Sequence, residues 1–271
     1  MGSVKFCKMS GAGNDFIFIN NTNNEYDLSF LKDIVYKLCA RRLSIGADGL
    51  VILNNSNDAD FSWLFYNADG TAAEMCGNAA RCAARFAYIN NIAGKKMSFK
   101  TLAGIINAEI LDKDAVKVEM TEPSNIELDI DIPLENGDLK GSFINTGVPH
   151  VVIKTDKIED IDLISVGKLI RYHKIFAPAG TNVDFYSQVD RHTIKMRTYE
   201  RGVEGETLAC GTGALSVAII AKEKGFVSYP VKIATGSSKV ITVSEYSGKY
   251  FIEGEARIIY NGCFGTEAYN Y

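Results

Sequence analysis

Two cysteines stand in matched settings, Cys76-Gly77-Asn78-Ala79 and Cys210-Gly211-Thr212-Gly213. Each follows a strand-like segment and a turn, and each opens a run of good helix formers. A residue so placed begins a helix, where four backbone N–H groups lack an intrahelical partner and the macrodipole favours negative charge. A thiol there is expected to ionise below its usual value of about 8.5. The same N–H groups can hold a carboxylate, and the glycines let a ligand approach the backbone closely. Each helix start thus offers a near-thiolate base beside an anion socket. Two such thiols, one on each face of a substrate carbon, suit the inversion of a stereocentre. One removes a proton, the other delivers one, and the reverse reaction exchanges the roles. Such a pair titrates as a coupled unit. N–H donors aimed at the substrate carboxylate stabilise the charge that grows as the carbanion forms.

Other uses of these thiols fit less well. A ligand set drawn from Cys76, Cys82, Cys210 and His150 lacks zinc-ligand spacing, so no metal is expected. A cysteine hydrolase would need one nucleophile and leave the matched second cysteine without a role. A binding protein for amino acids would explain the anion sockets but not a cysteine at each. Within MCGNAARC, Cys82 points ~240° around the helix from Cys76. It is read, with Cys7, Cys39 and Cys263, as buried filler. The six cysteines are scattered with no CxxC pair, which argues against a disulfide framework and for a reducing cytosol.

The elements that must carry the thiols repeat along the chain. The two cysteines are separated by about half of the 271 residues. Tyr66 and Tyr199 precede them in similar positions, Thr101 and Thr235 follow at equal distances, and Glu119 and Glu253 follow those threonines at equal distances. AGNDFIF (12–18) echoes TNVDFYS (181–187), with 27–42 read as extra length in the first half. We read a tandem duplication. FIFIN, GLVILN, FSWLFYN, MSFKT, GIINAEIL, AVKVEM, HVVIKT, VDFYSQV, TIKMRTY, VKIAT, KVITVSEY and KYFIEGEARIIY have the composition of short strands between turns. Helical spacing marks 27–42, 77–91, 160–172 and 211–224. The expected fold is α+β: two pseudo-symmetric halves, each a curved antiparallel sheet wrapped around the helix that begins at Cys-Gly, with that helix start facing a common cleft. The halves are placed at 1–122 and 123–256, the last strand (257–271) returning to the first. The polar, turn-rich stretch 124–141 is read as a connector.

Bulk properties narrow the class of partner. A net charge of −4 gives no reason to expect nucleic acid or a membrane surface. The longest apolar run, LSVAIIA (215–221), is far short of the roughly 20 residues a bilayer span needs. The first residues, MGSVKFCKMSGAGNDF, contain no continuous apolar stretch of the kind a secretory signal carries.

Together, GAGNDF (11–16), FYNADG (65–70), MCGNAARC (75–82), TGVPH (146–150), GTNVDF (180–185) and ERGVEGETLACGTGA (200–214) resemble the diaminopimelate epimerases, in the order expected and over nearly the whole chain. The resemblance implies two similar halves with the active site between them, no cofactor, a small-molecule substrate, a cytoplasmic location and a homodimer. It implies interconversion of LL- and meso-2,6-diaminopimelate by proton transfer at the α-carbon, in lysine and peptidoglycan-precursor synthesis. Carried over by position, Cys76 and Cys210 correspond to the acid/base pair, and His150 and Glu200 to residues that tune the thiols and orient the substrate. Gly77, Asn78, Gly211 and Thr212 would bind the reacting carboxylate through the helix starts. Asn14, Asn67, Asn182 and Arg201 match the remaining substrate contacts, Arg201 for the distal carboxylate, with Glu200 shared between the two roles. His173 and His192 match nothing and are read as surface residues.

Two departures stand out: Val148 and Gly49 occupy places where some members carry a polar Asn and Gln. Proline racemases, which carry His after the first Cys-Gly, are disfavoured by Asn78. The phenazine-pathway isomerases, which lack the cysteine pair, are disfavoured by both cysteines. A racemase of another polar amino acid is the main alternative.

Overall fold

The computed structural model describes residues 3–135, 137–237 and 239–271. Asn136, inside the connector expected over 124–141, lies outside them. The chain falls into two compact units, one running to Val118 and resumed at Gly254–Tyr271, the other Glu119–Glu253.

In chain order the elements are β1 (Val4–Gly11), β2 (Asn14–Asn20), α1 (Leu28–Asp33), α2 (Val35–Cys39), β3 (Gly49–Asn54), β4 (Phe61–Asn67), α3 (Gly77–Ile89), β5 (Lys96–Thr101), β6 (Gly104–Ile110) and β7 (Ala115–Glu119). There follow β8 (Ser124–Ile132), β9 (Leu139–Asn145), β10 (Pro149–Lys154), α4 (Leu163–Arg171), β11 (Asn182–Asp190), β12 (Thr193–Glu200) and β13 (Gly205–Thr207). The last are α5 (Gly211–Glu223), β14 (Val231–Ala234), β15 (Val240–Tyr246), β16 (Lys249–Glu255) and β17 (Arg257–Phe264).

The first unit orders its strands β17-β1-β2-β3-β4-β5-β6-β7. The second orders them β8-β9-β10-β11-β12-β14-β15-β16, with β13 hairpinned onto β12. The two orders are the same topology, so the duplication is visible in pairing as well as in residues. They also revise one echo. β11 takes the place of β3, whereas AGNDF lies on β2, whose counterpart is β10. The stretch 27–42 is therefore no insertion: it forms the β2–β3 crossover through α1 and α2, matched by the β10–β11 crossover through α4.

The sheets are mixed rather than wholly antiparallel. The parallel pairs are β2–β3, β4–β5, β10–β11 and β12–β14. Each spans a helical connection, because parallel neighbours need a crossover of a dozen or more residues where a hairpin needs two. Short turns join most of the antiparallel neighbours.

Each central helix is buried on nearly every side. In α3, Ala79, Ala80, Cys82, Ala83, Ala84, Phe86 and Ala87 are buried; in α5 nearly every residue from Gly213 to Ala221 is. A helix that needs no polar face belongs inside a sheet. Alternation along β2 explains how both sheet faces are covered. Phe18 packs on Phe86 of α3, with ring centroids 5.4 Å apart. Ile17 and Ile19 pack with Leu31, Val35 and Leu38 of α1 and α2. In the second unit Val151, Ile153, Val183 and Phe185 do the same with Leu163 and Ile170 of α4. Strands buried on both faces read as continuous apolar runs, as FIFI and VVI do.

The expected connector is corrected by β8 and the start of β9. IELDIDI does alternate, but on an edge strand whose residues are almost all exposed. Bulges at Asn125 and Asp129, with φ of 52° and 56°, break its ladder with β9. Acidic side chains and bulges are common devices for blunting an edge, and they hid the strand behind a polar composition. Cys263 is likewise not buried filler: it lies exposed on the edge strand β17, opposite Lys5, while Cys7, Cys39 and Cys82 are buried. His192 is exposed as expected, and His173 is half-buried against the Pro133 carbonyl.

Candidate active site

Cys76 and Cys210 occupy the same place in the repeated topology: each is the N-cap residue of its unit's central helix, in extended backbone. The surroundings of the two differ.

In the first unit, Gly77 and Asn78 form the buried first turn of α3, and Cys76 ahead of them is half-buried. The Asn78 side chain donates through Nδ2 to Asn14 Oδ1 and accepts through Oδ1 from Arg81 Nη2 at 2.7 Å. Asn14, at the start of β2, donates in turn to Asp48 Oδ2 at 3.1 Å. Asp48 also accepts from the Asp15 backbone N–H at 3.1 Å and from Arg41 at 2.8 Å. Asn78 and Asn14 are thus held by protein contacts. β1 presses closely on this turn: a Cβ at Gly11 would stand 2.8 Å from the Asn78 carbonyl oxygen. Asn67 is exposed at the end of β4, its amide donating to Thr71 Oγ1 at 3.1 Å within its own turn. Gly49 lies opposite it in register. A Cβ there would meet the Tyr66 carbonyl at 2.6 Å and the Phe65 ring at 2.7 Å, so this backbone has no room for a glutamine.

In the second unit, Cys210 is buried. Its Sγ accepts from the Gly213 N–H at 3.3 Å and lies 3.4 Å from Thr212 Oγ1. His150, fully buried on β10, places Nε2 3.0 Å from the same hydroxyl and Nδ1 2.6 Å from Asp184 Oδ2. Asp184 accepts a further bond from Thr198 Oγ1 at 2.7 Å and is itself fully buried. A carboxylate accepts only, so Nδ1 donates its proton toward Asp184 and Nε2 is turned to the Thr212 hydroxyl. The result is a line of groups, Thr198, Asp184, His150, Thr212 and Cys210, buried except at the half-buried Thr212.

Asn182, at the start of β11, donates to the Pro149 carbonyl at 2.9 Å and accepts from the Arg201 N–H at 2.8 Å. It ties the strand bearing His150 to the turn bearing Arg201. Glu200 ends β12, half-buried, and Arg201 donates to the Ala179 carbonyl at 3.4 Å. Val148, half-buried, accepts through its carbonyl from the Thr146 N–H at 3.2 Å. Gly211 is buried at the head of α5.

The expectation of a depressed thiol pKa is overturned at Cys210. Burial pushes it well above the usual value, and the charges of Glu200 and Asp184 push it further. The bonds from Thr212 and the Gly213 N–H act the other way and do not prevail. Removal from water penalises the thiolate more than one helix turn rewards it. Cys210 therefore rests as a thiol, a proton donor. Cys82 is buried and pushed up to about 12 by burial, as inert filler should be.

Asp184, Arg81 and Asp48, on which these networks turn, were not singled out from sequence. Asp184 stands two residues after Asn182 on one strand, so both point to the same face, a signal present in GTNVDF. Arg81 stands three residues after Asn78 on one helix face. Asp48 had no local signal: only the fold brings it to Asn14. Among the described residues no group of three His, Cys, Asp or Glu side chains is arranged to hold a metal ion.

The family model described as diaminopimelate epimerase matches residues 6–126 and 142–259. The chain is 44% identical to the diaminopimelate epimerase of Aquifex aeolicus (strain VF5), over 99% of this chain and 100% of that one. It is also 44% identical to that of Hydrogenobaculum sp. (strain Y04AAS1), over 97% and 99%. Solved structures with a similar fold include a phenazine biosynthesis protein of the PhzF family from Bacillus anthracis, at a TM-score of 0.74 and 13% identity, covering 98% of this chain and 100% of that one. Another is a probable proline racemase from Agrobacterium radiobacter K84, at 0.73 and 17%, covering 97% and 93%. At such identities the likeness is one of fold, and it agrees with an α+β architecture of two repeated halves. With matched cysteines heading matched helices, and relatives aligned end to end, the chain belongs to the diaminopimelate epimerase family of isomerases.

Proposed function

We propose that the protein interconverts LL- and meso-2,6-diaminopimelate by two-base proton transfer, with Cys76 and Cys210 as the acid/base pair acting on one α-carbon. The observation that carries this reading is the repetition: a cysteine heads the buried central helix of each unit, at the same point of the same topology. In one direction the Cys76 thiolate takes the α-proton and the Cys210 thiol delivers its own to the opposite face. In the reverse direction the roles exchange. The protonated state of Cys210 supports its part as donor. The N–H groups of Gly77, Asn78, Gly211 and Thr212 take the reacting carboxylate and stabilise the charge that gathers on it in the transition state.

His150, held by Asp184, orients the Thr212 hydroxyl beside the Cys210 sulfur, and Glu200 tunes that thiol. The distal end of the substrate falls to the same turn. Arg201 spends one N–H on the Ala179 carbonyl, and the rest of its fork suits a carboxylate. Glu200, Asn67, Asn14 and Asn182 accept from the ammonium groups or donate their remaining amide protons. No metal or organic cofactor enters this mechanism. A cytoplasmic location, a homodimer and a role in lysine and peptidoglycan-precursor synthesis belong to the same proposal.

The reading is tested with LL-diaminopimelate in D2O. Two bases give initial solvent deuterium in the product alone, and early labelling of recovered substrate contradicts them. Cys76→Ala and Cys210→Ala each abolish epimerisation while far-UV circular dichroism is unchanged; turnover by either variant removes that cysteine from the pair.

A further inference from the structure

Arg81 heads the largest fully buried side chains among the described residues. It sits one turn into α3, and helical side chains lean toward the N-terminus, so its guanidinium lies back over the turn that begins at Cys76. Nη2 donates to Asn78 Oδ1 at 2.7 Å, Nη1 to the Gly77 carbonyl at 3.4 Å and Nε to the Glu255 carbonyl at 3.4 Å. All three acceptors are formally neutral. Among the described residues no carboxylate comes within ion-pair distance of it. A buried charge with only neutral acceptors is costly, and buried charges are normally paired.

The fold does not require a cation here. In the second unit the corresponding residue, five past the cysteine, is Leu215, fully buried and apolar. The first unit even thins its backbone to admit the guanidinium, since a Cβ at Gly254 would stand 3.1 Å from Nε.

The charge must therefore serve something particular to the first unit. The negative groups that act on it are Cys82, Cys76 and Glu255, against a burial that lowers its own pKa. Cys82 is a buried thiol, pushed up to about 12. Cys7 on β1 is another, pushed up to about 11. Glu255 already pairs with Arg257 at 3.2 Å. Arg85, one turn on, donates to the Ala256 carbonyl. Of the three, Cys76 is the one whose charge the proposed reaction changes.

We propose that Arg81 is a positioning residue for the first thiol: its guanidinium fixes Asn78, and through it Asn14, and provides the fixed positive charge against which the Cys76 thiolate forms. This rests on Cys76 acting as an acid/base group. Asn78 and Arg81 then form one unit, in which the amide sets the first turn of α3 and the cation sets its electrostatics. The second unit needs no such cation, because Cys210 faces Asp184 and Glu200 and rests protonated.

The test is the pH profile of Cys76 alkylation by iodoacetamide, read at that residue by peptide mass spectrometry on the full chain. Arg81→Gln keeps a donor for Asn78 but removes the charge. It should slow Cys76 alkylation about tenfold at neutral pH and move the midpoint of the profile upward. Arg81→Lys keeps the charge and loses the planar fork; its midpoint should stay near that of the unaltered chain while KM rises. Equal midpoints for Arg81→Gln and the unaltered chain overturn the proposal. Should Arg81→Gln not fold, the unaltered chain decides: a Cys76 midpoint at or above the free-thiol value of about 8.5 overturns it as well. Turnover of diaminopimelate by the unaltered chain is measured in parallel. Its absence rejects the proposed function without touching the alkylation result.

Discussion

The sharpest consequence of the second unit's geometry concerns Asp184→Asn. The substitution is isosteric, so the amide oxygen still accepts from His150 Nδ1–H and the amide nitrogen meets Thr198, whose hydroxyl turns to accept. What goes is the charge behind bonds of 2.6 and 2.7 Å at a site with no solvent. A hydrogen bond to a charged group contributes about 1.5–3 kcal/mol and a neutral one about 1, so two weakened bonds cost about 2 kcal/mol. For a chain of this size that lowers the melting temperature by several degrees.

Two further effects run in opposite directions. Epimerisation falls about 100-fold, because the weakened bond fixes His150, and through it Thr212 and the Cys210 sulfur, less firmly in one geometry. Yet Cys210 becomes more reactive, since Asp184 is one of the charges that raise its pKa. Removing that charge eases formation of the thiolate, although burial still opposes it. Alkylation of Cys210 at mildly alkaline pH should then quicken by about tenfold or more. The assays are thermal unfolding, steady-state epimerisation and residue-resolved alkylation on the same preparation. An Asp184→Asn enzyme with unchanged kcat/KM, or with Cys210 alkylated no faster, refutes the reasoning.

The remaining predictions concern glycine and pH. Gly213→Ala would set a Cβ 2.6 Å from Asp184 Oδ1. It should destabilise the protein by about 1–3 kcal/mol and cut kcat, whereas Ala79, its counterpart in α3, is already an alanine; a fully active, equally stable variant would contradict the packing. Stability should also fall in alkali. The thiols of Cys7, Cys39, Cys82 and Cys210 ionise from 9.0 upward in the unfolded chain, while burial holds them protonated in the fold, to about 11 for Cys7, about 12 for Cys39 and Cys82, and well above the usual value for Cys210. The unfolded state thus binds fewer protons above pH ~9 and gains, by about 1 kcal/mol per thiol at pH ~10. Urea midpoints at about pH 8 and about pH 10 measure it, and equal midpoints would show the thiols titrating alike in both states.

Much of this protein is legible along the chain because its signals are local. Cys-Gly at the head of an alanine-rich run marks a helix start, and strands such as GLVILN and FSWLFYN announce themselves by composition. The repeat follows from residues alone, and with it the pairing of Cys76 with Cys210 rather than with Cys82. What local signals could not settle is set by burial and by strand order. An edge strand with acidic faces passed for a connector, because its exposure, not its propensity, governs its residues. AGNDF and TNVDF look equivalent, yet parallel crossovers place one on β2 and the other on β11.

The site divides the same way. A helix start predicts a low thiol pKa, but at Cys210 the surrounding sheet removes water and sets two carboxylates nearby, and desolvation outweighs a helix terminus. His150 was visible, while the Asp184 that holds it became so only when β10 and β11 paired. Nothing along the chain marks Arg81 as buried; only the sheet that closes over it does that. The sequence by itself determined which residues could do chemistry and how the chain would be partitioned into elements, because identity, spacing and backbone preference are properties of short segments. Only the tertiary structure decided which of those residues are charged, because the free energy of an ion depends on what replaces its water.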